Sequence, residues 1–175
     1  MNFKERRKTK LLVAGILSVF GIVGALHIAF GKLFYSNVSP SAPQGLYIAT
    51  PIQSLTRGDY VVVRLPEAVE SLHVKKDYLL LKRVQGFPGE SYTIDASALR
   101  TAQRSYPICR SDLLPQQEQG TYIVPEGELL LLNDPDDSFD SRYLGSIKQT
   151  QIDKKVLLLL SYDNPVVNSL KEVFK

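Results

Sequence analysis

The sequence predicts a mostly β domain preceded by one amino-terminal transmembrane helix. Three observations lead there. Residues 11–31 form an apolar run without formal charge when His27 is neutral. From residue 60 onward, short β-rich runs alternate with Pro, Gly and Asp. The full length, 175 residues, suffices for one compact domain with an appendage but not for two full-sized domains.

The apolar run matches the ~20 residues that cross a hydrocarbon core of about 30 Å at ~1.5 Å rise each. Lys4, Arg6, Arg7 and Lys8 crowd ahead of it, and the positive-inside rule leaves such a segment in the cytoplasm. The expected organisation is a basic cytoplasmic tail over 1–10, an anchor over 11–31 and an extracytoplasmic domain over 36–175. A cleavable signal has a shorter apolar core, about 7–15 residues, ending at a small-x-small site, which Ala25-Leu26-His27 fits poorly. An uncleaved anchor is therefore expected, and the membrane is the first partner.

Composition narrows the function. The formal charge is +3, and without the basic tail the body is close to neutral. No Lys/Arg stripe is visible from Tyr35 onward, so no nucleic-acid partner is expected. Cys109 is the sole cysteine, which excludes an internal disulfide and a Cys-rich metal site. His27 and His73 are the only histidines, and there is no HExxH or CxxC spacing, so neither a metal nor another cofactor is expected.

Within the body, 60–65 follows a Gly58-Asp59 turn signal, and 78–84 lies between Lys76-Asp77 and Gly86-Phe87-Pro88-Gly89. Both read as strands, as do 91–94, 121–124, 128–132 and 155–162. The polar stretch 96–119 reads as an exposed excursion. Residues 165–174 read as a closing helix with Val166, Leu170, Val173 and Phe174 on one side.

No Ser-His-Asp triad is available, because His73, beside Lys75 and Lys76, reads as a surface-loop residue. A nucleophilic hydrolase would then need another base. A neutral lysine can take the proton of a serine hydroxyl once burial brings its pKa from about 10.4 toward 7–8. Lys82 is the candidate, since strand alternation places Tyr78, Leu80, Lys82 and Val84 on one face. A lysine near a strand end can also snorkel to water. In Ser39-Pro40-Ser41-Ala42-Pro43, one hydroxyl could be the nucleophile and the other a donor to the developing oxyanion. The residues alone leave open which serine attacks, and an ordinary Ser/Pro linker has the same composition. The Asp-rich stretch 133–145 reads as a polar turn or a calcium loop, although EF-hand spacing is lacking.

Together the three stretches resemble signal peptidase I, and within that superfamily the TraF-type conjugative transfer peptidases. Ser41-x-Pro43-x-Gly45-Leu46-Tyr47 resembles the nucleophile block. Lys82-Arg83-Val84 with Gly86-Phe87-Pro88-Gly89-Glu90 resembles the base block. Ser138-Phe139-Asp140-Ser141-Arg142-Tyr143-x-Gly145 resembles the last block. The resemblance implies an antiparallel β catalytic domain in which Ser41 is the nucleophile and Lys82 the general base. It further implies that Ser39 supports the oxyanion hole, that Ser138 orients the lysine amine and that Asp140 and Arg142 form a structural ion pair. The implied setting is a bacterial inner membrane with the catalytic domain in the periplasm. The implied substrate is a protein, most of all a conjugative pilin or secretion-system subunit, cleaved after small side chains and open to cyclisation. Ala42-Pro43 after the nucleophile, and the short stretch between the second and third blocks, depart from the housekeeping enzymes. General preprotein processing and a non-catalytic assembly role on the same fold are the alternatives.

Overall fold

The computed structural model describes residues 3–165, and the chain divides into units of residues 1–34 and 35–175. The first is dominated by helix α1 (Phe3–Phe30). Its stretch Lys8–Leu26 is long and apolar enough to cross a membrane, and none of it is buried within the protein. The helix also runs back through the basic tail, because Lys, Arg and Glu are good helix formers. Gly31, at φ 75°, ends it in the left-handed conformation that glycine adopts without a Cβ clash.

The second unit is built on antiparallel sheet. Strands β1 (Phe34–Asn37), β2 (Gly45–Thr50), β3 (Tyr60–Arg64), β4 (Leu79–Gly86), β9 (Glu128–Leu131), β10 (Ile147–Lys148) and β11 (Ile152–Ser161) form a seven-stranded sheet ordered β1-β2-β11-β3-β4-β9-β10. Strands β5 (Ser91–Ile94), β6 (Ala98–Thr101), β7 (Ser105–Pro107) and β8 (Gly120–Ile123) form a second sheet ordered β7-β6-β5-β8. The fold is mostly antiparallel β behind one apolar amino-terminal helix, as the sequence predicts. Each of the six expected strands is present, with ends within a few residues of expectation.

The opposite faces of the large sheet bury different clusters. Val61 and Val63 of β3, Val84 of β4, Leu129 and Leu131 of β9 and Ile147 of β10 pack on one side. Val62 joins Tyr35, Tyr47 and Val156 on the other, following the period-two alternation of a strand. The small sheet packs on a third cluster, in which Tyr92, Ile94, Leu99 and Tyr106 meet Leu130 of β9 and Leu132, and Tyr92 and Tyr122 stack at 5.4 Å.

Two expectations need correction. Residues 96–119 are not one exposed excursion, because they contain β6 and β7, and Ala98, Leu99 and Tyr106 are buried. These strands are only three or four residues long, and the polar turn between them, with Gln103 and Arg104, masks the pattern. Tyr78 does not share the buried face of Leu80, Lys82 and Val84: it precedes β4 and is 55% exposed, just after a turn in which Asp77 has φ 63°. The expected helix over 165–174 lies outside the described residues beyond Pro165.

Where β4 crosses β9, Gly86 faces Leu130, and a Cβ on Gly86 would meet the Leu130 Cβ at 2.7 Å. Gly86→Ala is expected to lower unfolding stability by about 1–3 kcal/mol through overpacking. Urea unfolding of the full chain in detergent measures it, and an unchanged midpoint would show that the crossing yields freely.

Candidate active site

Lys82 sits in the middle of β4, opposite Val61 of β3. Its position on the apolar face leaves it 4% exposed, so the amine loses nearly all its water. That desolvation lowers its pKa from 10.5 to about 8. The Asp140 carboxylate pulls it upward, the Arg142 guanidinium pushes it down, and Asp137 again pulls upward. The Lys82 amine donates to the Ser138 hydroxyl at 2.9 Å, a contact buried from solvent.

Ser138 stands on a loop held by Arg142. The side chains of Arg142 and Asp140 are both 0% exposed and pair at 2.8 Å. The guanidinium Nε donates to Asp140 Oδ1 at 2.9 Å, while Nη2 donates to Oδ2. The remaining guanidinium donors reach the carbonyls of Asn133, Pro135, Asp136 and Pro107. Asp140 also caps helix α2 (Ser141–Leu144) by accepting from Arg142 N, and it accepts from Asn133 N at 3.0 Å. Asp140, the strongest upward pull on the Lys82 pKa, is thus itself engaged by a permanent cation and by backbone donors, and desolvation of the amine outweighs its pull.

Ser41 and Ser39 lie on the loop between β1 and β2. Their hydroxyls are 3.0 Å apart, and Ser41 N donates to Ser39 Oγ at 3.3 Å. Ser41 lines an open cleft of about 430 Å³ with Gln44, Tyr60, Asp134, Pro135 and Asp163. Lys82 lines a separate, almost filled space with Leu80, Leu131, Asp140 and Leu144. The structure therefore joins Ser41 to Ser39, Lys82 to Ser138 and Asp140 to Arg142. Among the described hydrogen bonds none joins Ser41 to Lys82.

Sequence reasoning missed several residues that shape this site. Asn37, at the end of β1, holds the serine loop through its side-chain amide. Its signature was an Asn two residues before Ser39, the spacing of an Asx turn. Asp134 accepts from both Arg83 and Arg104, tying β4 and the β6–β7 hairpin to the cleft wall. Arg104 also lies 5.4 Å from the Tyr106 ring centre. The Gly-x-Pro-Gly stretch after Lys82 is a turn in which Gly89 has φ 82°, as position i+2 of a type II turn requires. Glu90 closes that turn by accepting from Phe87 N and from Arg57.

The site thus sets a buried lysine beside a clamped polar loop, and separately a pair of serine hydroxyls of which Ser41 lines the open cleft. Residues 7–160 match the family described as signal peptidase, peptidase S26, and the chain belongs to it. Among curated relatives it is similar to the plasmid transfer protein TraF of Escherichia coli, 27% identical over 169 residues, covering 84% of this chain and 92% of the relative. Among solved structures it is similar to a signal peptidase I from Enterococcus faecalis at 22% identity and a TM-score of 0.41, covering 61% of this chain and 100% of that one. The resemblance read from the three sequence blocks is thereby borne out at the level of the family and its TraF-type branch.

Holding a lysine near 8 rather than 10.5 corresponds to about 3 kcal/mol against its charged form. Below about pH 8 both folded and unfolded chains carry the proton, and the penalty is fully present. Between about 8 and 10.5 the unfolded chain keeps a proton the folded chain has lost, so the lysine's contribution to stability rises with pH. Lys82→Met is therefore expected to be more stable than the parent by about 2 kcal/mol at pH 7, with the gap closing as pH rises toward 10. Paired unfolding curves across pH test this, and a gap that does not change with pH would contradict a desolvated lysine.

Proposed function

We propose that this chain is a membrane-anchored endopeptidase in which Ser41 is the nucleophile and Lys82 the general base. The burial of Lys82 against Ser138 carries the reading, because desolvation brings its pKa down to about 8, where a neutral amine with a free lone pair becomes available within the mildly alkaline range. For reaction, Ser41 Oγ turns from Ser39 toward Lys82. Catalytic contacts are often long in the free enzyme and tighten with substrate. The hydroxyl proton passes to Lys82 Nζ as Oγ bonds to the scissile carbonyl carbon. The proton then moves to the leaving amine as the C–N bond breaks, leaving an ester on Ser41. Water then attacks this ester as Lys82 takes one of its protons, or the substrate's own amine attacks in the same way and closes a ring; in either case the acyl C–Oγ bond breaks and Lys82 returns the proton to Ser41 Oγ. Ser39, released from the Ser41 pair, donates with the Ser41 N–H to the oxyanion.

The name of the Escherichia coli relative points to plasmid transfer, and a conjugative pilin or secretion-system subunit is the proposed substrate class. Only residues 32–40 separate Gly31 from Ser41, a length of chain that spans about 35 Å at most and so limits how far Ser41 can lie from the end of a membrane span. An exported precursor with its own apolar segment would present its cleavage site there. On this reading α1 places the catalytic domain on the periplasmic side of the inner membrane.

Co-expression of a candidate pilin precursor with the intact protein tests the proposal. Ser41→Ala and Lys82→Ala are each expected to reduce processing at least about 10³-fold while the proteins stay folded in the membrane. Ser39→Ala is expected to cost about 10²-fold. Processing by the parent should rise with pH to a plateau above about 8, because only neutral Lys82 accepts the proton. Precursor size and product mass read the outcome, and the mass separates linear from cyclic ends. Full processing by either Ser41→Ala or Lys82→Ala would remove that residue from the mechanism.

A further inference from the structure

We propose that Asn37 is a positioning residue whose side-chain amide sets the conformation of the nucleophile loop. The inference rests on the assignment of Ser41 as nucleophile. Asn37 Nδ2 donates to the carbonyls of Ser39 at 3.0 Å, Ala42 at 3.1 Å and Pro43 at 3.1 Å, while its Oδ1 accepts from Ser39 N at 3.2 Å. One side chain at the end of β1 thus gathers the loop's carbonyls on both sides of Ser41.

The prolines make this possible. The Ser39 carbonyl belongs to the peptide unit whose nitrogen is Pro40, and the Ala42 carbonyl to the unit whose nitrogen is Pro43. Turning those carbonyls inward leaves no N–H stranded on the opposite side, because proline has none. Ser41 keeps its own N–H, which points at the Ser39 hydroxyl, and the residue lines the open cleft. Pro40 and Pro43 stiffen the loop, but Asn37 chooses which side of it carries the acceptors and which the reactive serine.

Two further contacts brace the same loop. Gln44 Nε2 donates to the Val38 carbonyl at 2.6 Å, and the buried Tyr47 hydroxyl donates to the Pro43 carbonyl at 2.7 Å. Neither reaches the Ser39 or Ala42 carbonyl, so the two carbonyls that flank Ser41 depend on Asn37 among the described bonds. Asn37→Asp is the sharpest probe. It is isosteric and keeps the acceptor for Ser39 N–H, but it replaces the donor with a carboxylate oxygen facing three carbonyls.

The experiment is steady-state kinetics of the full-length protein in detergent, on a synthetic peptide spanning the cleavage site of the precursor that the parent processes. Misplacing a nucleophile by about 1 Å costs on the order of 10²-fold in rate. Asn37→Asp is accordingly expected to lower kcat about 30-fold or more with KM within about threefold. Asn37→Ser, which retains one donor, should fall about 3- to 10-fold. Both values are taken per folded molecule, from the unfolding curve of each variant, so a merely structural role would leave kcat unchanged. If Asn37→Asp does not fold, Asn37→Ser decides alone. Values of kcat within threefold of the parent for the variants that fold, with Ser41→Ala inactive, would overturn the role of Asn37 and leave the nucleophile assignment standing. Cleavage by Ser41→Ala would overturn that assignment itself.

Discussion

A fully buried arginine organises the functional half of this domain. Arg142 is removed from water together with Asp140, and its remaining donors are spent on four backbone carbonyls from Pro107 to Asp136. An unpaired charge at that depth would cost several kcal/mol, so the loop that supplies the carbonyls is obliged to close around it. That closure brings Ser138 to the Lys82 amine. It also sets the Arg142 guanidinium, which pushes the lysine pKa down, beside the Asp140 carboxylate that pulls it up. The ion pair thus sets the loop geometry around Lys82, while burial of the amine is the main influence on its protonation state.

Polar groups around the site come in pairs. Ser39 holds Ser41 and Ser138 holds Lys82, each at ordinary hydrogen-bond distance. The first pair is exposed and open to the cleft, while the second is sealed among leucines. A weak bond in water is easily exchanged, whereas one in an apolar surround is not. On the proposed mechanism, the arrangement suits a serine that turns and a lysine that stays.

The β-rich body could be read from the sequence because its longest strands are bounded by Gly, Pro and Asp and carry the β-branched and leucine runs of 60–64, 79–84 and 152–161. Strands β6 and β7 were illegible because polar residues such as Arg100, Gln103, Arg104 and Ser105 interrupt their few apolar positions, and their burial is imposed by Tyr92 and Ile94 of a neighbouring strand. The order Ser41, Lys82, Ser138 was legible as motif, and alternation alone placed Lys82 on a buried face. The clamps were not. The Asx-turn spacing before Ser39 marks Asn37 for one contact, but not for the carbonyls of Ala42 and Pro43 that it also holds, and Asp134 is shared by arginines thirty and fifty-one positions away that only the folded topology brings together. Tyr78 was misassigned because alternation says nothing about where a strand begins, which here is decided by the left-handed turn at Asp77.

The small sheet enters and leaves the large one at a single doorway. Strands β4 and β9 are antiparallel neighbours, with Val84 opposite Leu131, and everything from β5 to β8 is strung between their adjacent ends. In topological terms the second sheet is an overgrown hairpin loop. Lengthening such a connection costs only about 0.6 kcal/mol for each doubling. The scaffold can therefore accept new modules at this port, by evolution or by engineering, while the strand that carries Lys82 keeps its register.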